Sequence, residues 1–260
     1  MLKIFNFYHK PFHIFQTPNL IPIHAGKSIS PHNLNMLSDN TNENISYKNK
    51  NYGELTGMYW VLKNIKESHI GFCHYRRYFN FHTKRPFDFI YLTSLIGKPE
   101  IFTPNENILK YDIIVPIPIR FETSIASQYI YNHRKTDWDT LMNIIQKRYP
   151  NYPLEIIHKN RLYPFNMFIM KYHIFQIYMD FVFDLLNELE SKITLPPNNN
   201  YQCRVFGFIA ERLLTIFLDM IQHNQFNISN LSILEMQTLF VKNIEPINLK
   251  LDYIKGLYYY

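Results

Sequence analysis

The sequence predicts a single α/β domain, and three observations carry that reading. The chain opens on the apolar β-run LKIFNFY (2–8), the kind of segment that forms a central strand. Strand, loop, helix and strand then follow one another as far as residue 74, which is how a βαβ unit begins. Two long amphipathic helical patterns, at about 172–190 and 203–222, lie behind further apolar β-runs. At 260 residues the chain can bury a sizeable core, and a hydrophobic content of 47% excludes a disordered chain.

Taken in order, residues 16–51 read as one long polar loop, broken by Pro18, Pro22, Gly26 and Pro31. Leu55, Met58, Tyr59, Leu62 and Ile65 then recur at helical spacing. Ile70–Cys73 is a short buried strand ending at His74. Asp112–Val115 is another, stopped by Pro116. A helix over 137–148 begins at Thr136 or Asp137, either of which can cap it. Phe165–Met170 is a further β-run before the two long helices. No repeat and no linker divides the chain.

The net charge of +6 points to an anionic partner or to a solubilising surface with equal force. Cys73 and Cys203 form no CxxC and no zinc spacing, which fits a reducing compartment. The N-terminus lacks a signal-peptide layout, and no apolar run reaches the length of a membrane span. The expectation is a cytoplasmic protein. The tail 241–260, with Lys242, Lys250 and Lys255, either packs on the domain or touches a membrane surface.

Four clusters are chemically suggestive. His74-Tyr75-Arg76-Arg77 follows a buried strand, where ligands of α/β sheets sit, and two guanidiniums suit phosphate oxygens. They suit equally one solvent-facing Arg beside one paired with a carboxylate such as Glu54. The loop 38–49 (Asp39, Asn44, Ser46, Lys48, Asn49) can bind a base and ribose, although its composition is that of an ordinary Asn-rich surface loop. Glu54, Thr56 and Tyr59 sit at a helix start, where a carboxylate also simply stabilises the dipole. Arg204 and Glu211 are seven apart on one helix face, so Glu211 is either paired, with Arg212 or Arg76, or functional. GxGxxG, Walker A, GxSxG and HExxH motifs are absent. Asp137-Trp138-Asp139 reads as capping charge rather than a metal site.

Seven segments then carry a resemblance: YHKPF (8–12), SDNTNENISYKN (38–49), YGELTGMYWVLKN (52–64), IGFCHYRRYF (70–79), YDIIVP (111–116), FNMFIMKYHIF (165–175) and RVFGFIAERLL (204–214). In this order the chain resembles the DUF4422 family of bacterial proteins associated with capsule, exopolysaccharide and lipopolysaccharide synthesis. Gly53 and Asn160–Pro164 depart from its common pattern. The resemblance implies a GT-A-like fold, one domain with a mixed central sheet flanked by helices. About 1–120 would bind the nucleotide sugar, and about 121–240 would hold the acceptor and catalysis.

It also implies a glycosyltransferase that moves a hexose, galactose-type in pyranose or furanose form, from a UDP-linked donor to a glycan or lipid-linked acceptor. No cofactor besides the donor, no metal and no nucleic acid are expected. Where GT-A enzymes usually carry Asp-x-Asp, this chain has His-Tyr-Arg-Arg. His74, Tyr75, Arg76 and Arg77 would therefore hold the diphosphate. Tyr8, His9, Asp39, Asn44, Ser46, Lys48 and Asn49 would hold the nucleoside, with Glu54, Thr56 and Tyr59 near the ribose or sugar. Asn166, Arg204 and His133 would contact acceptor or sugar. If the reaction inverts the anomeric centre, Glu211, with Asp112 next, would be the general base. The competing readings are a basic nucleic-acid- or phosphate-binding module and an inactive scaffold of a polysaccharide assembly complex.

Overall fold

A computed structural model of the chain describes residues 1–82, 89–196, 199, 201–228 and 230–242. The tail beyond Lys242, assigned to packing or membrane contact, lies outside the described residues. In chain order the elements are β1 (Leu2–Tyr8), β2 (Leu20–His24), β3 (Leu37–Ser38), α1 (Asn49–Tyr52), α2 (Leu55–Asn64), β4 (His69–His74), β5 (Arg77–Phe79), β6 (Phe89–Tyr91) and β7 (Ile113–Pro116). Then come β8 (Ile119–Arg120), α3 (Ile125–Asn132), α4 (Lys135–Arg148), β9 (Arg161–Leu162), β10 (Phe168–Lys171), α5 (Tyr172–Glu190), α6 (Val205–Gln222), β11 (Ile233–Met236) and β12 (Thr238–Lys242).

The expected mixed sheet flanked by helices is present. Its spine runs β11-β7-β10-β4-β1-β2-β3, and β12 joins β5 and β6 beside it. β2, β1 and β4 are mutually parallel, whereas β10 runs antiparallel to β4 and β7. Strand alternation sorts the central side chains into two cores. Phe5, Phe7, Ile70 and Phe72 face the helices. Leu2, Ile4 and Cys73 face a second cluster with Tyr78, Phe79, Leu239 and Val241. β1 is therefore covered on both sides, which is why it reads as a continuous apolar run. Helix α2 lies so close to it that a Cβ at Gly57 would sit 2.4 Å from the Phe7 ring. Among the described residues no helix is long and apolar enough to cross a membrane.

Two expectations need correction. Residues 16–51 are not one loop, because they contain β2, β3 and the start of α1. Pro22 hid β2, yet it is tolerated there for a definite reason. Ile4 N–H bonds to Asn19 O and Ala25 N–H to Tyr8 O, so odd-numbered residues of β2 face β1 and Pro22 faces away. On that side β3 begins only opposite Ile23, so no ladder bond is lost at Pro22. Likewise Phe165 and Asn166 are not in a strand. They form a left-handed turn, with φ of 75° and 50°, that precedes β10.

Candidate functional site

A cavity of about 690 Å³ opens at the carboxyl ends of β1 and β4. Its lining comes from the tip of β1, the α1–α2 junction, the turn after β4, the Phe165–Asn166 turn and the first turns of α6. This is where parallel strands of an α/β sheet leave room for a ligand.

The turn after β4 is a hairpin. His74 pairs with Arg77 as the chain reverses into β5, and Tyr75 N–H bonds to Phe7 O at 3.0 Å. β12 fastens the hairpin from outside through Val241 N–H to Arg76 O, 2.7 Å. Alternation along β12 buries Leu239 and Val241 and turns half-buried Phe240 to the other face, directly opposite Arg77. The Phe240 ring lies under both guanidiniums, 5.4 Å from Arg76 and 5.3 Å from Arg77. Arg76 also covers Tyr75, and Arg77 covers Phe165 at 4.5 Å. Both cations thus reach the cavity on aromatic supports.

The strained turn opposite is held by three bonds. His74 Nε2 meets Phe165 O at 2.6 Å, Phe165 N–H donates to Glu211 Oε1 at 2.7 Å, and Asn166 Nδ2 donates to Glu54 Oε1 at 2.7 Å. Two consecutive non-glycine residues in left-handed backbone persist only when their surroundings over-determine them. Of the two partners weighed for Glu211, the structure selects Arg212, at 2.8 Å and with a side chain only 4% exposed.

The electrostatics of the cavity are one-sided. Five lining residues are basic (Lys10, Lys50, Arg76, Arg77, Arg204), against two acidic ones, Glu54 and Glu211. Among the described residues Lys10, Lys50, Arg76 and Arg204 have no carboxylate within 4.0 Å, and all four open on the same cavity. The histidines register this field. Burial, then Lys10, Arg204 and His74, push His9 down to about 4. Burial lowers His74, with Glu54 opposing and Arg77 assisting. Both imidazoles are neutral at pH 7. Among the described residues no group of three or more His, Cys, Asp and Glu side chains is arranged to hold a metal ion.

Of the residues singled out from sequence, Tyr8, His9, Asn49, Glu54, His74, Tyr75, Arg76, Arg77, Asn166, Arg204 and Glu211 meet at this cavity. The others do not line it. Asp39 is fully buried and holds two loops together. It accepts from the N–H groups of Gly26 and Lys27 and from the hydroxyls of Ser46 and Thr56. Asn44 caps its own turn at Ser46 N–H. Lys48 pairs with Glu190 at 2.6 Å, and Tyr59 donates to Glu43. The polar density of 38–49 is thus spent on internal bonds, and even Asn49, which lines the cavity, donates to Gly53 O and Thr56 Oγ1. Asp112 stands at the amino end of β7, which runs parallel to β4, so it is at the opposite edge of the sheet from the cavity. There it pairs with Lys171 at 2.7 Å and accepts from Ser232. His133 lies one ring behind the cavity wall, stacked on Phe208 at 4.2 Å.

Sequence reasoning missed Lys10, Lys50, Phe165, Phe208 and Phe240. Lys10 follows the β1 tip directly and was findable by the same strand-end argument as His74. Nothing in the sequence distinguishes Phe240 from the other 20 phenylalanines.

The family described as domain of unknown function DUF4422 matches residues 3–225. No curated protein matches the chain. Among solved structures it is similar to one described as "WbbM bifunctional glycosytransferase apo structure", with 29% identity and a TM-score of 0.82. The likeness covers 95% of this chain and 47% of that one, so the chain spans about half the length of the protein it matches.

Proposed function

The chain belongs to the DUF4422 family, and from that premise we propose that it is a glycosyltransferase that takes a hexose from a UDP-linked donor. The acceptor is a glycan or lipid-linked saccharide of bacterial polysaccharide synthesis, and no metal takes part. The observation that carries the reading is the set of cavity cations without carboxylate partners (Lys10, Lys50, Arg76 and Arg204), with Arg77 beside them. Positive charge gathered at the mouth of one cavity, with no carboxylate to offset it, attracts a ligand that brings the opposite sign, and guanidiniums suit phosphate oxygens. A nucleoside diphosphate brings two to three negative charges in a row. The similarity to one half of a bifunctional glycosyltransferase supports the same class of reaction.

In this mechanism the acceptor hydroxyl oxygen attacks the anomeric carbon while the bond from that carbon to the β-phosphate oxygen breaks. The leaving nucleoside diphosphate keeps the bonding electrons. Arg76 and Arg77 meet the charge that develops there, and their positions are fixed beforehand by Phe240, Phe165 and Tyr75. Glu211 takes the hydroxyl proton. Its Oε1 and Oε2 each accept one bond, from Phe165 N–H and Arg212, which leaves lone pairs for the incoming hydroxyl.

A thermal-shift screen against UDP-, GDP-, dTDP- and CMP-sugars, with and without EDTA, tests the reading. A shift with UDP-sugars that survives EDTA is expected. No response to any nucleotide diphosphate overturns the donor class, and a strict need for Mn²⁺ or Mg²⁺ overturns the role given to the arginines.

A further inference from the structure

Helix α6 and the short turn before it present one face to the cavity. Tyr201, Arg204, Phe208 and Glu211 follow one another on it at intervals of three, four and three residues, the spacing of a single helical face. Glu211, Phe208 and Arg204 line the cavity. Tyr201, at the outer end, is 56% exposed. The face therefore leads from the carboxylate out to solvent, alternating aromatic and polar groups.

Three rings make this path a continuous ledge. His133 stacks on Phe208 at 4.2 Å and 21°, and on Tyr201 at 5.9 Å and 21°. Tyr201 and Phe208 meet at 4.9 Å. Arg204 lies over Phe208 at 5.6 Å. His133 is neutral, lowered to about 4 by burial and then by Arg212, so the ledge presents no positive charge of its own besides Arg204. Tyr201 thus continues the aromatic lining of the cavity out to solvent, a surface that suits a ligand that is itself half apolar.

We propose that Tyr201 and Phe208, backed by His133, form the acceptor subsite, on which the terminal sugar of a saccharide chain packs the C–H face of its ring. A pyranose or furanose ring has such a face and an edge of hydroxyls; the ledge offers rings below, with Arg204 and Glu211 at the side. A ledge that reaches solvent suits a ligand too long to be enclosed, which a saccharide chain is and a nucleotide sugar is not. Entering along it, the terminal hydroxyl arrives at Glu211. The subsite rests on the glycosyltransferase reading above.

The test uses the full chain and a panel of methyl glycosides (galactoside, glucoside and N-acetylglucosaminide), with UDP binding measured in parallel. Saturation-transfer NMR should show contact at the ring C–H protons of at least one glycoside bound to the unaltered protein. Tyr201→Ala should weaken that glycoside about tenfold, and Tyr201→Phe, which keeps the ring, should restore it. UDP affinity should stay within about twofold. Three results overturn the subsite: no glycoside binding to the unaltered protein, glycoside binding unchanged in both Tyr201→Ala and Phe208→Leu, or UDP affinity falling in place of glycoside affinity, which would put the nucleobase on the ledge. Failure of the enzyme reading looks different, because then the unaltered protein binds no nucleotide at all.

Discussion

Replacing Phe240 by leucine removes an aromatic face while keeping apolar bulk and the β12 backbone pairing. The ring lies under Arg76 and Arg77 at 5.4 and 5.3 Å. A cation–π contact contributes about 0.5–1 kcal/mol at exposed sites and about 2 when desolvated. Phe240 is half-buried, so the two contacts together contribute about 1–2 kcal/mol to holding both guanidiniums in place. Leucine should therefore weaken UDP binding about 5–30-fold. The companion ligand is uridine, which lacks the diphosphate and should bind the variant as it binds the unaltered protein. Calorimetric titration of both ligands, with Phe240→Tyr as the aromatic rescue, reads the difference directly. Two outcomes refute the reasoning: UDP affinity unchanged in Phe240→Leu, or UDP and uridine weakened by the same factor, which is what general loosening of the fold would produce.

Arg76→Ala should cost no more than about 1–2 kcal/mol of thermal stability, the worth of its contacts with the Tyr75 and Phe240 rings, since Arg76 has no carboxylate partner among the described residues. It should cost about 1.5–3 kcal/mol in UDP binding by calorimetry, the value of a charge-assisted hydrogen bond. Glu211→Gln should lower transfer about 10²–10⁴-fold with nucleotide binding kept. It should also lose about 1–3 kcal/mol of stability in urea, because the amide faces buried Arg212 with a donor; normal turnover would move the base elsewhere. Asp112→Asn should leave nucleotide binding and turnover intact and act on stability alone. Burial acts to raise the Asp112 carboxyl, but hydrogen bonds from Lys171 and Ser232 prevail and hold it at about 2, below its ordinary 3.8. Its stabilisation is thus complete above about pH 4 and is lost as pH falls towards 2. Urea midpoints of the two proteins should differ at pH 7 and converge on acidification; a constant gap would contradict this account.

How much the sequence reveals depends on how local the determinant is. β1, β4 and the long helices α5 and α6 are legible because each carries its own period. β2 was not, since Pro22 is a breaker everywhere except on a stretch of strand edge with no neighbour, and edge status is a tertiary fact. The hairpin arginines could be found because they follow a strand end. Their support could not: β12 meets β5 from more than 150 residues away, and it falls after the segment matched by the family. The loop 38–49 misled for a related reason. Asp39 and Ser46 are short polar residues of the kind that bind nucleosides, but burial turns the same groups inward to satisfy backbone N–H groups of 26–28.

The Phe165–Asn166 turn shows why the cavity groups must be considered together. One strained turn supplies the acceptor for His74, the donor for Glu211 and the amide for Glu54, so none of the three is positioned independently. Its Phe165 ring also carries Arg77. In the proposed reaction the cation beside the leaving phosphate rests on the side-chain ring of Phe165, and the carboxylate beside the attacking hydroxyl accepts from the backbone N–H of the same residue. Both groups are thus positioned through one residue rather than by two side chains packing separately, which is the preorganisation that displacement at one carbon requires. The positive φ at Phe165 and Asn166 costs about 1–3 kcal/mol per residue. A glycine at either position would relieve that strain, but at 165 it would remove the ring under Arg77 and at 166 the amide on Glu54. Strain is retained here because the relaxed alternatives give up the contacts that face the ligand.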